Sequence, residues 1–135
     1  MRRQTLLGLL VAALAAGGWA GWTATARPRV VVAPPAVDFG PITGRRTLAV
    51  EVRNDGRAPL RVLAVTTSCG CTTATVGAML IGPRDATSLS ITFDPVAHGP
   101  QPGPARHAVY VRTNDPGAPE TEVEVRAVVV KGVAR

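Results

Sequence analysis

An all-β sandwich of about seven strands is the fold class this sequence predicts. Three observations predict it. Apolar residues recur at every second position along several short runs. Gly, Pro, Asn and Asp fill the intervals between those runs. No segment after Trp22 sustains a 3.6-residue apolar period.

The elements follow in chain order. Arg27 to Pro35 is rich in Val and Pro and reads as a short tether running into an edge strand, because proline is tolerated mainly at sheet edges. Thr47 to Arg53 alternates, with Leu48, Val50 and Val52 on one face, and ends in the turn signal Asn54-Asp55-Gly56. Leu60 to Thr66 is the next strand, with Leu60, Val62 and Ala64 opposed to Arg61, Leu63 and Val65. Ser88 to Phe93 sets Leu89, Ile91 and Phe93 on one face and closes at Asp94-Pro95. Val96 to Pro104 is a Pro/Gly loop. His107 to Thr113 carries Val109 and Val111 on one face and turns at Asn114-Asp115-Pro116-Gly117. Thr121 to Val130 is the longest strand, with Val123, Val125, Ala127 and Val129 inward. A core of Val, Leu, Ile and two Phe suffices for a domain of about 100 residues.

The first 26 residues stand apart from this domain. Arg2 and Arg3 precede an uncharged, mostly apolar run from Leu6 to Trp22, and Ala24-Thr25-Ala26 follows with the small-x-small pattern of a signal cleavage site. The run is long for a secretory segment and slightly short of the roughly 20 apolar residues of a spanning helix. Residues 1–26 are therefore a cleaved signal or a retained inner-membrane anchor, 27–34 a linker and 35–131 the sandwich. Either outcome exports the domain to the periplasm or beyond, because basic residues before the run hold the N-terminus inside. The membrane is met only through this segment.

The formal net charge is +6, and Arg2 and Arg3 supply two of those charges. The remaining Arg residues are scattered and aromatics are few, so a nucleic-acid partner is not expected.

Several motifs occur in a specific order: Asp38-Phe39-Gly40 before a first hairpin, Asn54-Asp55-Gly56 with Pro59-Leu60, Ser68-Cys69-Gly70-Cys71-Thr72, Phe93-Asp94-Pro95 and Thr113-Asn114-Asp115-Pro116. This order resembles the exported bacterial domain-of-unknown-function 1573 family. That family is similar in turn to immunoglobulin-like domains related to major sperm protein and to ciliary ASH domains. The resemblance covers about residues 33 to 130 and departs at Gly82-Pro83-Arg84-Asp85, where the family usually has a Pro-Gly turn. It implies a seven-stranded immunoglobulin-like sandwich and no established activity.

The chemistry of the chain is concentrated in Cys69 and Cys71, its only cysteines. In an extended strand they would share a face, with Cα atoms roughly 6.6 to 6.8 Å apart. A relaxed disulfide wants about 5.5 to 6 Å, so closing one requires a kink, which Gly70 permits. Three readings stay open. The pair is structural, as a disulfide candidate in an oxidising compartment. It binds a soft metal such as Cu(I) through two thiolates, with Met79, His98 and His107 as further candidate ligands. Or it exchanges disulfides. Met79, beside Leu80 and Ile81, also reads as core, and the two histidines also read as solvated flanks of the Pro/Gly loop.

Ser68 and Ser88 lack a His-Asp arrangement. Asp38, Asp94 and Asp115 fit turn or bulge positions, and no phosphate-cradling Gly-rich loop opens a helix. No enzyme and no resident cofactor are expected. The expectation is an envelope interaction or scaffold domain with a protein partner. The alternative is a copper-binding or thiol-redox protein of the envelope.

Overall fold

Alternating β-branched and polar residues lay down two facing sheets in this computed structural model, which describes residues 25–98 and 101–131. The strands are β1 (Val30–Ala33), β2 (Ala36–Ile42), β3 (Arg46–Asn54), β4 (Leu60–Thr67), β5 (Thr72–Val76), β6 (Leu80–Ile81), β7 (Ala86–Phe93), β8 (Gly103–Thr113) and β9 (Glu120–Val129). One sheet runs β1-β3-β7-β5 and the other β2-β9-β8-β4-β6. Every pairing is antiparallel except β2 with β9. The expected all-β sandwich is present, with nine strands among the described residues rather than about seven. The short strands β5 and β6, too brief to show a period, make the difference.

The inner faces follow the alternation. Val123, Val125, Ala127 and Val129 on β9, Leu89, Ile91 and Phe93 on β7, and Val50 and Val52 on β3 are all buried. Phe39 and Phe93 approach across the core with ring centroids 6.0 Å apart. β4 departs from the expected alternation. A register shift between Val62 and Ala64 flips the phase, so that Val65, not Ala64, packs on the core. One inserted residue on a bulged strand turns every later side chain to the other face.

The segment expected as a linker, 27–34, enters the sheet. Val30 to Ala33 pair with β3 at the sheet edge. The Asp38-Phe39-Gly40 segment leads into no hairpin with β3. β2 lies in the opposite sheet, and the Asp38 carboxylate accepts the Gly40 N–H at 2.8 Å around a bulge where Gly40 has φ +63°. Asp38 is thus the bulge residue its sequence context suggests. The Pro/Gly loop holds one helical turn, α1 (Pro95–His98), and the strand after it begins at Gly103.

The two ends of the sandwich are built differently. Register sets Arg46 and Phe93 at one end of the β3–β7 pair and Arg53 and Ala86 at the other. Just past the latter lies Asn54, fully buried. Its Nδ2 donates to the carbonyls of Ala58 and Ile81 at 2.8 and 3.1 Å, and its Oδ1 accepts the N–H groups of Arg29 and Gly56. Asp115 accepts the Val30 N–H at 2.9 Å and the Gly117 N–H at 2.8 Å. These two side chains tie the entering chain to the turns at that end. The opposite end carries the cysteines.

Residues 1–24 lie outside the described structure, and with them nearly all of the expected signal or anchor. Among the described residues, no helix is long and apolar enough to cross a membrane.

Candidate functional site at the cysteine corner

The chain changes sheets at Cys69-Gly70-Cys71. β4 belongs to one sheet and β5 to the other, and the passage between them is a tight turn closed by Thr72 N–H donating to the Cys69 carbonyl at 3.2 Å. The Thr67 hydroxyl donates to the same carbonyl at 3.0 Å. This turn brings the two Cα atoms to 5.3 Å, and the sulfurs are joined in a disulfide. The kink needs no glycine. Gly70 has no left-handed φ, and a Cβ there would meet nothing within 4 Å. Turn geometry shortens the Cα separation below that of an extended strand, which is why the pair can close.

The ladder between β4 and β8 delivers a third residue. Thr67 pairs with Val109, and the ladder continues as Ser68 N–H donates to the Ala108 carbonyl at 3.0 Å and Ala108 N–H to the Ser68 hydroxyl at 2.9 Å. The next step in that register sets His107 opposite Cys69. The Cys69 and Cys71 sulfurs and a ring nitrogen of His107 all lie within 4.8 Å of one another. Cys71 is buried, whereas Cys69 and His107 are half-buried. Phe93, paired with Thr72 across β5 and β7, stacks on the His107 ring with centroids 5.9 Å apart. Asp94 donates its N–H to the Cys71 carbonyl at 2.9 Å. Four strands therefore converge on the corner: β4, β5, β7 and β8.

One charged pair flanks it. Arg45 meets the Asp94 carboxylate at 3.0 Å, and that guanidinium, helped by the N–H groups of Val96 and Ala97, holds the Asp94 carboxyl below the usual carboxylate range. Asp94 also accepts the Val96 N–H at 3.0 Å, the turn-capping role expected of an aspartate before proline.

Met79, another sequence candidate, falls elsewhere. The Met79 carbonyl accepts the Val62 N–H, seven residues back along β4 from Cys69 and so roughly 23 Å away at strand rise. Met79 is also 53% exposed and not core. Only Ile81 of its trio is buried, because β6 is a two-residue edge strand. His98 ends α1, and its side chain lies outside the described residues. His107 is no solvated flank. It sits within β8, in phase with inward Val109 and Val111, and this period-two phase was legible in the sequence.

As it stands, the oxidised pair offers no thiolate. Reduced, it would present two thiolates and one imidazole to a common point.

Comparisons with known proteins agree with this architecture. A protein of unknown function from Porphyromonas gingivalis W83 superposes with a TM-score of 0.70 at 31% identity, over 82% of this chain and 50% of that one. The chain thus spans half the length of that protein. The human CEP192 ASH/PapD-like domain 7 superposes with a TM-score of 0.58 at 11% identity, over 78% of this chain and 88% of that domain. The YadV chaperone gives 0.55 at 15% identity, over 76% of this chain and 52% of the chaperone. At such identities these last two show a shared fold alone. No curated protein sequence matches. The sequence profile described as "Protein of unknown function (DUF1573)" matches residues 31–129, which contain both sheets and the cysteine corner, and the chain belongs to that family.

Proposed function

We propose that this chain is a non-enzymatic interaction domain of the cell envelope that receives an extended segment of a partner protein along β5. The edge chemistry supports this reading. Sheet edges are usually blunted by brevity, proline, bulges or charge. β6 has only two residues, β2 carries Pro41 and a bulge, and β1 runs into Pro34-Pro35. β5, Thr72-Thr73-Ala74-Thr75-Val76, has five residues with no proline, bulge or charge and is rich in β-branched residues.

Register says which groups a partner would meet. Gly77 N–H bonds the Ser88 carbonyl and Asp94 N–H the Cys71 carbonyl, so the hydrogen-bonded pairs with β7 fall on odd positions of β5. The backbone groups of Ala74 and Val76 point away from β7. Leu63 on β4 and Met79 and Leu80 at β6, each more than half exposed, are apolar surface of the opposite sheet. Main-chain bonds to such an edge supply affinity in β-augmentation, and side-chain pockets supply specificity.

The test is Ala74→Pro, which removes an outward N–H and leaves the ladder to β7 intact. A partner crosslinked to the wild-type domain in envelope extract should be lost, with the circular dichroism and melting midpoint retained. A partner captured equally by the variant would overturn the reading.

A second reading, an envelope copper-binding or thiol-redox protein, is favoured by the meeting of Cys69, Cys71 and His107.

A further inference from the structure

We propose that Cys69, Cys71 and His107 form a three-ligand Cu(I) site that exists only when the cysteine pair is reduced. This rests on the second reading above and adds to it a third ligand and a redox gate.

The donor set argues for the ion. Thiolates and imidazole are soft to borderline ligands, and a cysteine pair with nitrogen suits Cu(I) or Zn(II). Structural zinc takes four protein ligands. Among the described residues, no fourth His, Cys, Asp or Glu joins the cluster. Cu(I) is satisfied with two or three. The spacing is within reach. The His107 nitrogen lies within 4.8 Å of both sulfurs, which are bonded to each other here; once that bond is broken they are free to part toward the separation of up to about 4.6 Å that metal bonds of about 2.0 to 2.3 Å allow.

The surroundings argue for a built site. His107 is carried by the β4–β8 ladder, and its ring is held against Phe93. Cys71 is anchored by the Asp94 N–H on its carbonyl, and Cys69 by two bonds to its own. Strand ends and turn bonds thus fix all three backbones, as a preorganised metal site requires. Phe93 closes the inner side and leaves the entry at Cys69 and His107, which are half-buried.

The gate follows from electron counting. In the disulfide, neither sulfur is a thiolate. A dithiol donor must give two electrons and two protons to the bond, becoming a disulfide itself and leaving two protein thiols. Cu(I) then displaces the two thiol protons and takes both sulfurs and the His107 nitrogen. Exchange with a disulfide oxidant, whose own S–S bond breaks as it takes two electrons and leaves as two thiols, re-forms the Cys69–Cys71 bond and expels the ion.

The experiment uses the full chain, once reduced with a small dithiol under anaerobic conditions and once left oxidised, titrated with Cu(I) against a chromophoric chelator. The reduced protein should bind one Cu(I) and the oxidised protein none. X-ray absorption of the loaded protein should give a three-coordinate ion with two sulfur scatterers and one nitrogen. His107→Ala should weaken uptake at least tenfold with one Cu(I) still bound at saturation. A two-coordinate all-sulfur ion, or equal affinity in His107→Ala, would overturn the third ligand and leave a cysteine-only copper site. Equal uptake by the oxidised protein would overturn the gate. No uptake by the reduced protein, or a preference for Zn(II), would overturn the site and the copper reading together. The absorption measurement on wild type decides the coordination even where the alanine variant folds poorly.

Discussion

Phe93, on β7 of one sheet, stacks on His107, on β8 of the other, with ring centroids 5.9 Å apart and planes inclined at 24°. The same phenyl ring lies 6.0 Å from Phe39 and is fully buried. The wall of the cysteine corner is therefore also the hydrophobic core. Phe93→Ala should cost about 3–5 kcal/mol, the usual range for deleting a buried phenyl. Urea denaturation measures it, and a loss below about 1 kcal/mol would show that the ring does not hold the sheets together.

Asn54 should prove the most sensitive polar residue. Its side chain serves both carbonyl acceptors and N–H donors at a fully buried position. Asn54→Ala leaves those groups without partners, at a cost of about 2–4 kcal/mol. The entering segment should loosen as well, since Arg29 N–H bonds the Asn54 Oδ1. Hydrogen exchange at Arg29 and Val30 reports that directly; unchanged protection there would contradict the role.

Opening the disulfide should leave the fold standing. Its sequence separation is only two residues, and the chain-entropy gain from so small a ring is about 1.6 kcal/mol at most. The domain reduced with a dithiol should keep its circular dichroism spectrum and lose no more than this in the urea midpoint. Cooperative unfolding on reduction alone would show that the pair is an indispensable staple and would leave no room for a reduced functional state.

Acid should weaken the domain in one direction only. Asp55 is held below its ordinary 3.8 by the Arg53 guanidinium, Asp94 below 3.8 by Arg45, and Glu124 below 4.5 by Arg126. A carboxyl whose folded value is depressed adds stability above its ordinary value and loses it as pH falls through the folded one. Stability from these groups should stay level from neutral pH to about 5 and decline below about 4. Asp55 is exposed and Asp94 and Glu124 are half-buried at the surface, so the decline should be shallow and flattened further by salt. A urea midpoint that rises on acidification would contradict these ion pairs.

The strands were legible where alternation ran for six residues or more. β3, β7 and β9 bury the faces their spacing announced, down to Val129. Short elements were not: β5 and β6 are too brief to show a period, and their pairing with β7 and β4 is a long-range matter. β4 misled after Val62 because a bulge is set by its partner strand and leaves no mark in local alternation. At the corner, the cysteines drew notice by their spacing and chemistry, and Gly70 drew a role that the turn itself performs.

The sequence by itself determined the all-β class, the inward faces and the proximity of two sulfurs, because each depends on residues within a few positions of one another. Only the tertiary structure brought His107 to them. A linear reading puts His107 in phase with inward Val109 and Val111 but carries nothing of its distance from the cysteines, and Met79 is the nearest of the candidates in sequence. Hydrogen-bond register between β4 and β8 carries His107 to Cys69 across a sequence separation of 38 positions, while Met79 sits beside the far end of β4. Register is the sum of many backbone bonds and the burial of two whole faces, so no local pattern contains it.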